Sequence, residues 1–278
     1  MEDFMIYKLS NEHIELAVNS LGAELCSLKP SGIDREYMWQ KESPYWQRQS
    51  PVLFPSIGKS RGDVYRYLGS SYTMPKHGFV RDVDFACESS SDRLIFSYKY
   101  NDSTLSDYPF KFELVIKYIL SDVLTVSFSV INHSDCDMPF SLGGHPAFNW
   151  DMSSEARLSF DVSSSQFYLV LSDGMGLGDQ VTMSDLLLAP SVFANDALVY
   201  SGIGSVIYTN GDYRLELSCS SFKYLGIWSQ VGAPFVCLEP WTTLPDMVDH
   251  DGEILNKKDI VVIGPHSKYD LSYSLKIS

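Results

Sequence analysis

Three short segments each set an ionisable side chain among glycine, proline and aromatic residues, which shape a rigid pocket rather than a solvated surface. The segments are 74–82 (MPKHGFVRD), 141–150 (SLGGHPAFNW) and 235–241 (FVCLEPW). The first two contain His77 and His145, and histidine is the side chain best suited to proton transfer near neutral pH. Both histidines are therefore candidate acid–base groups. The alternative for each is a core histidine whose ring is satisfied by a backbone carbonyl.

Glu239 is the ionisable residue of the third segment. It directly follows the apolar strand candidate 235–238 and precedes Pro240, so we expect its carboxylate at a strand end in partly apolar surroundings. Such surroundings raise the pKa of a carboxyl group toward values that suit a general base. The alternative is an ion pair with a lysine or arginine at the edge of a sheet.

Two histidines and one glutamate could also form a metal site, because imidazole and carboxylate are common zinc ligands. However, the sequence contains no His-Glu-x-x-His, and His77 and His145 both lie in glycine-containing segments without the helical spacing that preorganises two ligands. We therefore expect no metal at these residues.

The elements that must position these groups are mainly β-strands. Apolar residues alternate with period two over 112–120 and again over 124–130, which predicts a long hairpin. Further strand candidates follow the same criteria: 4–9, 13–18, 94–100, 158–162, 215–219, 223–228, 235–238, 260–263 and 269–275.

Helical patterns are scarce, and the best are 182–188 and 244–248, each barely two turns long. Many strands without strand–helix alternation predict an all-β, antiparallel sandwich or barrel with few short helices. No repeat or linker divides the chain, so residues 1–278 are expected to form one domain. The stretch 43–76 lacks strand character and is rich in proline and glycine, which is typical of a long ordered loop that carries binding groups.

Charge and composition exclude several classes of partner. The 278 residues contain 21 Lys and Arg against 35 Asp and Glu, and a net charge of −14 disfavours nucleic acid. The longest uncharged runs, 197–211 and 224–238, are too short and too polar to span a membrane. The chain begins without a signal-like segment and has five widely spaced cysteines without a Cys-x-x-Cys, so we expect a cytoplasmic protein whose reduced cysteines pack in the core.

Four motifs, in order and suitably spaced, resemble the galactose mutarotase-like (aldose 1-epimerase) superfamily, most closely its LacX-like branch. They are Phe54-Pro55-Ser56-Ile57-Gly58-Lys59, Pro75-Lys76-His77-Gly78-Phe79-Val80-Arg81, Gly143-Gly144-His145-Pro146-Ala147-Phe148 and Cys237-Leu238-Glu239-Pro240-Trp241. The likeness extends over nearly the whole chain. It implies an antiparallel β-supersandwich with a sugar cleft and a cofactor-free isomerase that interconverts the α and β anomers of a hexose.

The resemblance also implies a role for each candidate residue. Glu239 would take the O1 proton of the sugar, His145 would protonate the ring oxygen O5, and His77 would donate a hydrogen bond near O5 and C1. Lys59 or Arg61 would hold sugar hydroxyls. The partner would be a small-molecule sugar, and the protein a monomer or a homodimer.

Further substrate-binding residues remain open. The family's middle-strand aspartate would be Asp161, Asp173 or Asp185, all of which match imperfectly. Aromatic side chains that could stack on a pyranose are Trp228, Trp241 and Phe148, and the alternative for each is a place in the core. Family branches with a phosphate-binding arginine cluster act on hexose 6-phosphates, and Lys59, Arg61 and Arg81 could supply such a cluster. A carbohydrate-binding or sugar-sensing domain without turnover is the non-enzymatic alternative.

Overall fold

The computed structural model describes residues 4–278, and most of its regular structure is β-strand. The first twelve strands are β1 Ile6–Ser10, β2 Ile14–Asn19, β3 Glu24–Pro30, β4 Val52–Leu53, β5 Val64–Tyr67, β6 Ser70–Thr73, β7 Ala86–Ser89, β8 Arg93–Lys99, β9 Phe112–Leu120, β10 Leu124–Asn132, β11 Met138–Phe140 and β12 Gly143–Gly144. Twelve follow: β13 Ala147–Asn149, β14 Ala156–Phe160, β15 Ser164–Leu171, β16 Gly174–Thr182, β17 Leu186–Leu187, β18 Leu198–Ser201, β19 Ser205–Asn210, β20 Tyr213–Ser218, β21 Tyr224–Trp228, β22 Phe235–Trp241, β23 Val261–Ile263 and β24 Lys268–Ile277.

One short α-helix, α1 (Asp102–Asp107), lies between β8 and β9. Asn101 caps it, because its side chain accepts a hydrogen bond from the Thr104 amide while the Thr104 hydroxyl accepts one from the Asn101 amide. Four single 3₁₀ turns complete the helical structure of residues 4–278: Arg61–Asp63, Val80–Asp82, Pro190–Phe193 and Ile254–Asn256.

Two large sheets form the body of the molecule. The first has nine strands in the order β17-β14-β19-β20-β24-β10-β9-β8-β7, and the second has the order β16-β15-β18-β21-β22-β12-β4, with β13 also paired to β22. All pairings between these strands are antiparallel. The prediction of an all-β antiparallel architecture is confirmed.

The buried side chains of the alternating strands pack the two sheets against each other. Every second residue of β9 and β10 is buried and the others are half-buried, as the period-two pattern predicts. Leu114 and Val126 of the first sheet share one apolar core with Ile227 and Leu238 of the second. The two sheets therefore form a sandwich around this core.

Strand β22 differs from β9 and β10 because all seven of its residues are buried. Val236 and Leu238 face the shared core, whereas Phe235 and Cys237 belong to a separate apolar cluster on the opposite face of the second sheet. The functional residues of β22 lie on that opposite face. Glu239 is thus inside a strand rather than at a strand end as expected, and the chain continues in extended form through Pro240 to Trp241.

Three local predictions are wrong. The segment 182–188 ends β16 and contains β17 instead of a helix, because Leu186 and Leu187 pair with β14. The segment 244–248 is an irregular loop, tied by backbone hydrogen bonds to Met175. The stretch 43–76 contains β4 and the β5–β6 hairpin.

Two remaining features concern the membrane and the cysteines. None of the helices within residues 4–278 has the length and apolar character needed to cross a membrane. All five cysteines are free, and Cys219 and Cys237 are buried. Cys136 is exposed, so the expectation that every cysteine packs in the core is wrong for this residue.

Candidate active site

The strand register brings His145 and Glu239 face to face. Gly143 pairs with Trp241, and Ala147 pairs with Cys237, so His145 on the short connection between β12 and β13 lies opposite Glu239 of β22. The connection is extended, and the Leu238 amide donates to the carbonyl of Pro146. Residues directly opposite each other on neighbouring strands have adjacent side chains. Two motifs about a hundred residues apart therefore supply one pair of ionisable groups.

The two side chains are buried and close. His145 Nε2 lies 3.2 Å from Glu239 Oε2, with the two side chains 8% and 2% exposed. The contact lacks hydrogen-bond geometry, and Glu239 Oε2 has no hydrogen-bond partner within residues 4–278. A buried polar oxygen without a partner is costly, and such atoms are characteristic of functional sites.

Burial favours the neutral form of each group. Desolvation lowers the pKa of His145 to about 3, and it raises the pKa of the Glu239 carboxyl well above its usual value. The nearby Lys76 ammonium favours the carboxylate and so acts against desolvation on Glu239. The balance leaves His145 without a proton and favours a proton on Glu239.

His77 is fixed beside this pair by Gly58. The His77 amide donates to the Gly58 carbonyl at 2.7 Å, and the Gly58 amide donates to His77 Nδ1 at 3.1 Å. Because Nδ1 is an acceptor, Nε2 carries the proton of the neutral ring. Burial and the neighbouring His145 ring lower the pKa of His77 well below its usual value, which keeps the ring neutral.

The backbone at His77 is strained in a way that supports a functional role. His77 has φ of +68°, a left-handed conformation that is uncommon for residues other than glycine. Gly58 has φ of +70°, and a Cβ there would lie 2.5 Å from the ring of Pro245. A glycine is therefore required at the position that holds His77.

The three groups line one cavity of about 510 Å³ on the second sheet. Trp241 and Trp228 also line it, as expected for aromatic residues of a sugar site. Trp241 lies close to Gly143, where a Cβ would approach the indole ring to 2.8 Å. Phe148 does not reach the cavity, because it faces the shared core on the other side of the sheet. Its core alternative is the correct one.

Four cationic side chains line the same cavity. Lys59, Arg61 and Arg81 are brought together there as the sequence allowed, and Lys76 joins them. Lys59 lies 3.5 Å from Asp63, and Arg61 donates to the Val248 carbonyl at 2.8 Å. Both side chains are partly engaged within the protein.

Arg81 is the most enclosed of these cations. Its side chain is 18% exposed, and its Nε has no hydrogen-bond partner within the part of the chain that the structure describes. Desolvation, aided by the Arg48 guanidinium, lowers the pKa of Arg81 from its high usual value.

The aspartate that sequence reasoning left open is resolved in part. Asp173 lines the cavity, whereas Asp161 accepts a hydrogen bond from the Gly204 amide and Asp185 pairs with Arg157. The cavity contains a second aspartate, Asp196, at the irregular turn before β18. No sequence motif marks Asp196, and only the packing of β15, β16 and β18 brings it to the site.

Trp46 is the other residue that sequence reasoning missed. Its ring stacks on the His145 ring, with centroids 4.7 Å apart and 29° between the planes, and it lines the cavity. The available signal was its place in the stretch 43–76, where binding groups were expected.

One set of side chains in residues 4–278 could hold a metal ion. Ligand atoms of His145, Cys237 and Glu239 all lie within 4.8 Å of one another. The set contains Cys237 in place of His77, so it differs from the two-histidine arrangement considered from the sequence.

The chain belongs to the aldose 1-epimerase family, since the family model described as "Aldose 1-epimerase" matches residues 5–186, more than half of its length. The matched part contains His77 and His145, whereas Glu239 lies beyond it. The plasmid-encoded LacX protein of Lactococcus lactis subsp. lactis is 29% identical over 300 residues, which cover 98% of this chain and 99% of the relative.

Solved structures show the same likeness over the full chain. A galactose mutarotase related enzyme from Lactobacillus acidophilus is 30% identical with a TM-score of 0.94, covering 99% of this chain and 97% of that one. A galactose mutarotase-like protein from Lactobacillus casei ATCC 334 is 29% identical with a TM-score of 0.91, covering 99% and 100%. The predicted resemblance and the mutarotase-like fold are confirmed.

Proposed function

We propose that this protein is an aldose 1-epimerase, a mutarotase, that interconverts the α and β anomers of a free hexose by general acid–base catalysis. The observation that carries the proposal is the contact between His145 and Glu239. The two groups can serve as acid and base, and they lie 3.2 Å apart at a cavity large enough for a sugar. Membership of the aldose 1-epimerase family supports the reaction type.

Ring opening needs one proton removed and one supplied. Glu239 takes the proton of the O1 hydroxyl, the C1–O5 bond breaks, and O5 takes a proton from His145. The pair thus begins with its proton on His145 and ends with a proton on Glu239. Rotation about C1–C2 presents the other face of the aldehyde, and the reverse transfers close the ring as the other anomer.

The electrostatics of the pair favour the state that follows ring opening. Burial lowers the pKa of His145 and raises that of Glu239, so both groups are most stable in their neutral forms, His145 without its proton and Glu239 with one. This is the arrangement that accompanies the open-chain sugar, the least stable species on the path. Before ring opening the resting pair must therefore pass its proton from Glu239 to His145, and this transfer across their 3.2 Å contact is part of the barrier.

His77 supplies a fixed, neutral donor. Its Nδ1 is occupied by the Gly58 amide, so Nε2–H is available to a sugar oxygen in the cavity. A donor aimed at O5 or O1 stabilises the charge that develops there as the C1–O5 bond breaks. The remaining faces and hydroxyls of the sugar would contact five other side chains, those of Trp241, Asp173, Asp196, Lys59 and Arg61.

A second candidate substrate is a hexose 6-phosphate. The observation that favours it is the convergence of Lys59, Arg61, Lys76 and Arg81 on one cavity in a protein of net charge −14. The carboxylates of Asp173 and Asp196 in the same cavity, together with the net charge of −14, oppose a dianion and support the free hexose.

We also propose that the protein acts in the cytoplasm without a cofactor. Five free cysteines support a reducing compartment. Proton transfers between side chains and sugar oxygens require no further group.

The direct test measures anomer exchange by NMR or polarimetry on free hexoses and hexose 6-phosphates, against the spontaneous rate. Exchange well above the spontaneous rate for a free hexose is expected. Saturable sugar binding with no acceleration for any sugar would overturn the proposal in favour of a non-catalytic binding domain.

A further inference from the structure

Cys237 is a buried thiol beside the acid–base pair that the proposed proton transfers do not use. It precedes Glu239 by two residues in β22, so the two side chains project from the same face of the strand. Cys237 pairs with Ala147 of the neighbouring strand β13, and Ala147 follows His145 by two residues. The register thus places a thiol, an imidazole and a carboxyl group at three neighbouring positions of one sheet face.

The separations suit a small tetrahedral metal ion. The ligand atoms of the three residues all lie within 4.8 Å of one another. The 3.2 Å between His145 Nε2 and Glu239 Oε2 is close to the edge, about 3.4 Å, of a tetrahedron with ligands 2.0–2.2 Å from zinc. Glu239 Oε2 has no hydrogen-bond partner within residues 4–278, so binding an ion there would break no hydrogen bond.

The donor types select the class of ion. Thiolate and imidazole favour borderline and soft cations such as Zn²⁺ over Mg²⁺ or Ca²⁺, which prefer oxygen ligands. His145 and Glu239 line the cavity, whereas Cys237 lies behind them and is fully buried. An ion held by the three would therefore keep its fourth position open toward the cavity, where water would complete the coordination.

We propose that His145, Cys237 and Glu239 form a binding site for Zn²⁺ and similar thiophilic divalent cations, and that occupation of this site inhibits the protein. Binding forms metal bonds to the imidazole nitrogen, the carboxylate oxygen and the sulfur, and the protons of the Cys237 thiol and of the Glu239 carboxyl group pass to solvent. The bound ion removes the lone pairs that His145 and Glu239 need for proton transfer. The inhibition rests on the proposed function, whereas the binding does not.

Cobalt binding tests the site independently of activity. Co²⁺ replaces Zn²⁺ in tetrahedral sites, and a cobalt–thiolate bond gives a charge-transfer absorption band. We expect the full-length protein to bind one Co²⁺ with this band, and Cys237→Ala to lose it and to bind Co²⁺ at least about tenfold more weakly. The matched control is Cys219→Ala, which removes a buried cysteine of β20's C-terminal turn and should retain the band.

Two results would overturn the site. One is the absence of a thiolate band in the unaltered protein, which does not depend on any variant folding. The other is a band that survives Cys237→Ala and disappears in Cys136→Ala, because this would move binding to the exposed cysteine. Thermal unfolding of each variant shows whether its fold is intact, and Cys237→Ser provides a closer isostere if the alanine variant unfolds.

Inhibition is tested separately. If anomer exchange is catalysed, micromolar-to-millimolar Zn²⁺ should suppress it, a chelator should restore it, and Cys237→Ala should need at least about tenfold more Zn²⁺ for the same fractional loss of its own rate. Cobalt binding at Cys237 without catalysed exchange would contradict the proposed function alone. Exchange that Zn²⁺ inhibits equally in both proteins would contradict the inhibitory site alone.

Discussion

The indole ring of Trp46 lies over the imidazole of His145, with ring centroids 4.7 Å apart and planes within 29° of parallel. Trp228 meets the same imidazole edge-on at 5.8 Å. These rings cover part of the His145 imidazole and so contribute to the burial whose desolvation lowers its pKa to about 3.

Trp46→Ala should therefore shift the pH dependence of kcat/KM. Catalysis needs one proton on the pair, so activity is lost when His145 and Glu239 are both protonated. In the unaltered protein, activity should therefore persist well below pH 6.5, the usual pKa of histidine. Removing the indole admits water, raises the pKa of His145 and moves the acid limb to higher pH. Tyr45→Ala, a neighbouring aromatic that does not line the cavity, should leave the limb in place. An unchanged acid limb in Trp46→Ala would show that the stacking does not set this pKa.

Glu239→Gln should abolish most of the catalysis. The amide keeps the shape of the carboxyl group and cannot take the O1 proton, and loss of a positioned acid or base typically costs ~10²–10⁴ in rate. Burial already favours the neutral carboxyl, so the variant should keep its thermal stability. Anomer exchange of glucose and galactose by NMR is the measurement. Exchange at the unaltered rate would remove Glu239 from the role of base.

His77→Asn should have a milder effect than His145→Ala. The asparagine amide oxygen can accept the Gly58 amide that His77 Nδ1 now accepts, while one donor to the sugar is lost or misplaced. Loss of a single such hydrogen bond costs ~1–3 kcal/mol in the transition state. His145→Ala should lose ~10²–10⁴ in rate because O5 would then be protonated only by water. A His77 variant as inactive as Glu239→Gln would mean that the two histidines exchange roles.

Activity should survive exhaustive chelation. The proposed steps move protons between side chains and sugar oxygens and use no Lewis acid. Anomer exchange measured before and after dialysis against EDTA should give the same kcat, with any change an increase from the removal of inhibitory zinc. A loss of turnover that zinc restores would instead make His145 and Glu239 ligands of a catalytic ion.

The phosphate preference can be decided by titration. Charge-assisted hydrogen bonds to phosphate are roughly twice as strong as neutral ones, and they weaken as salt screens an accessible site. With the carboxylates of Asp173 and Asp196 in the cavity and a net charge of −14, we expect glucose 6-phosphate to bind at most a few-fold more tightly than glucose at moderate salt. Tight, salt-sensitive binding of glucose 6-phosphate would favour the hexose 6-phosphate if Arg81→Ala weakens that binding. The remote control Arg93→Ala should leave the binding unchanged.

The strands were largely predictable because the alternation of apolar residues that indicates them lies within each segment. Alternation along β9 and β10 reports one buried and one half-buried face, and both strands lie where that pattern predicts. The segment 182–188 misled because two turns of apolar spacing also fit a short strand pair, and pairing with β14 decided its structure.

The meeting of His77, His145 and Glu239 at one cavity was predictable because glycine, proline and aromatic residues frame each of these ionisable groups in the sequence. The site was not predictable where only tertiary packing brings a residue to the cavity. Trp46 and Asp196 come from irregular segments without a motif, and Phe148 lies in a motif yet faces the core. The face that a residue occupies depends on strand register, which is set by partners far along the chain.

Glu239 lies on the fully buried strand β22, and His145 lies on the buried connection opposite it, whereas much of the cavity rim comes from irregular segments at residues 59–61, 172–173 and 245. Backbone at the centre of a sheet tolerates little change, while surface segments accept substitution and insertion with small effects on stability. Divergence within such a scaffold can therefore alter which sugars are admitted while the chemical step is inherited intact.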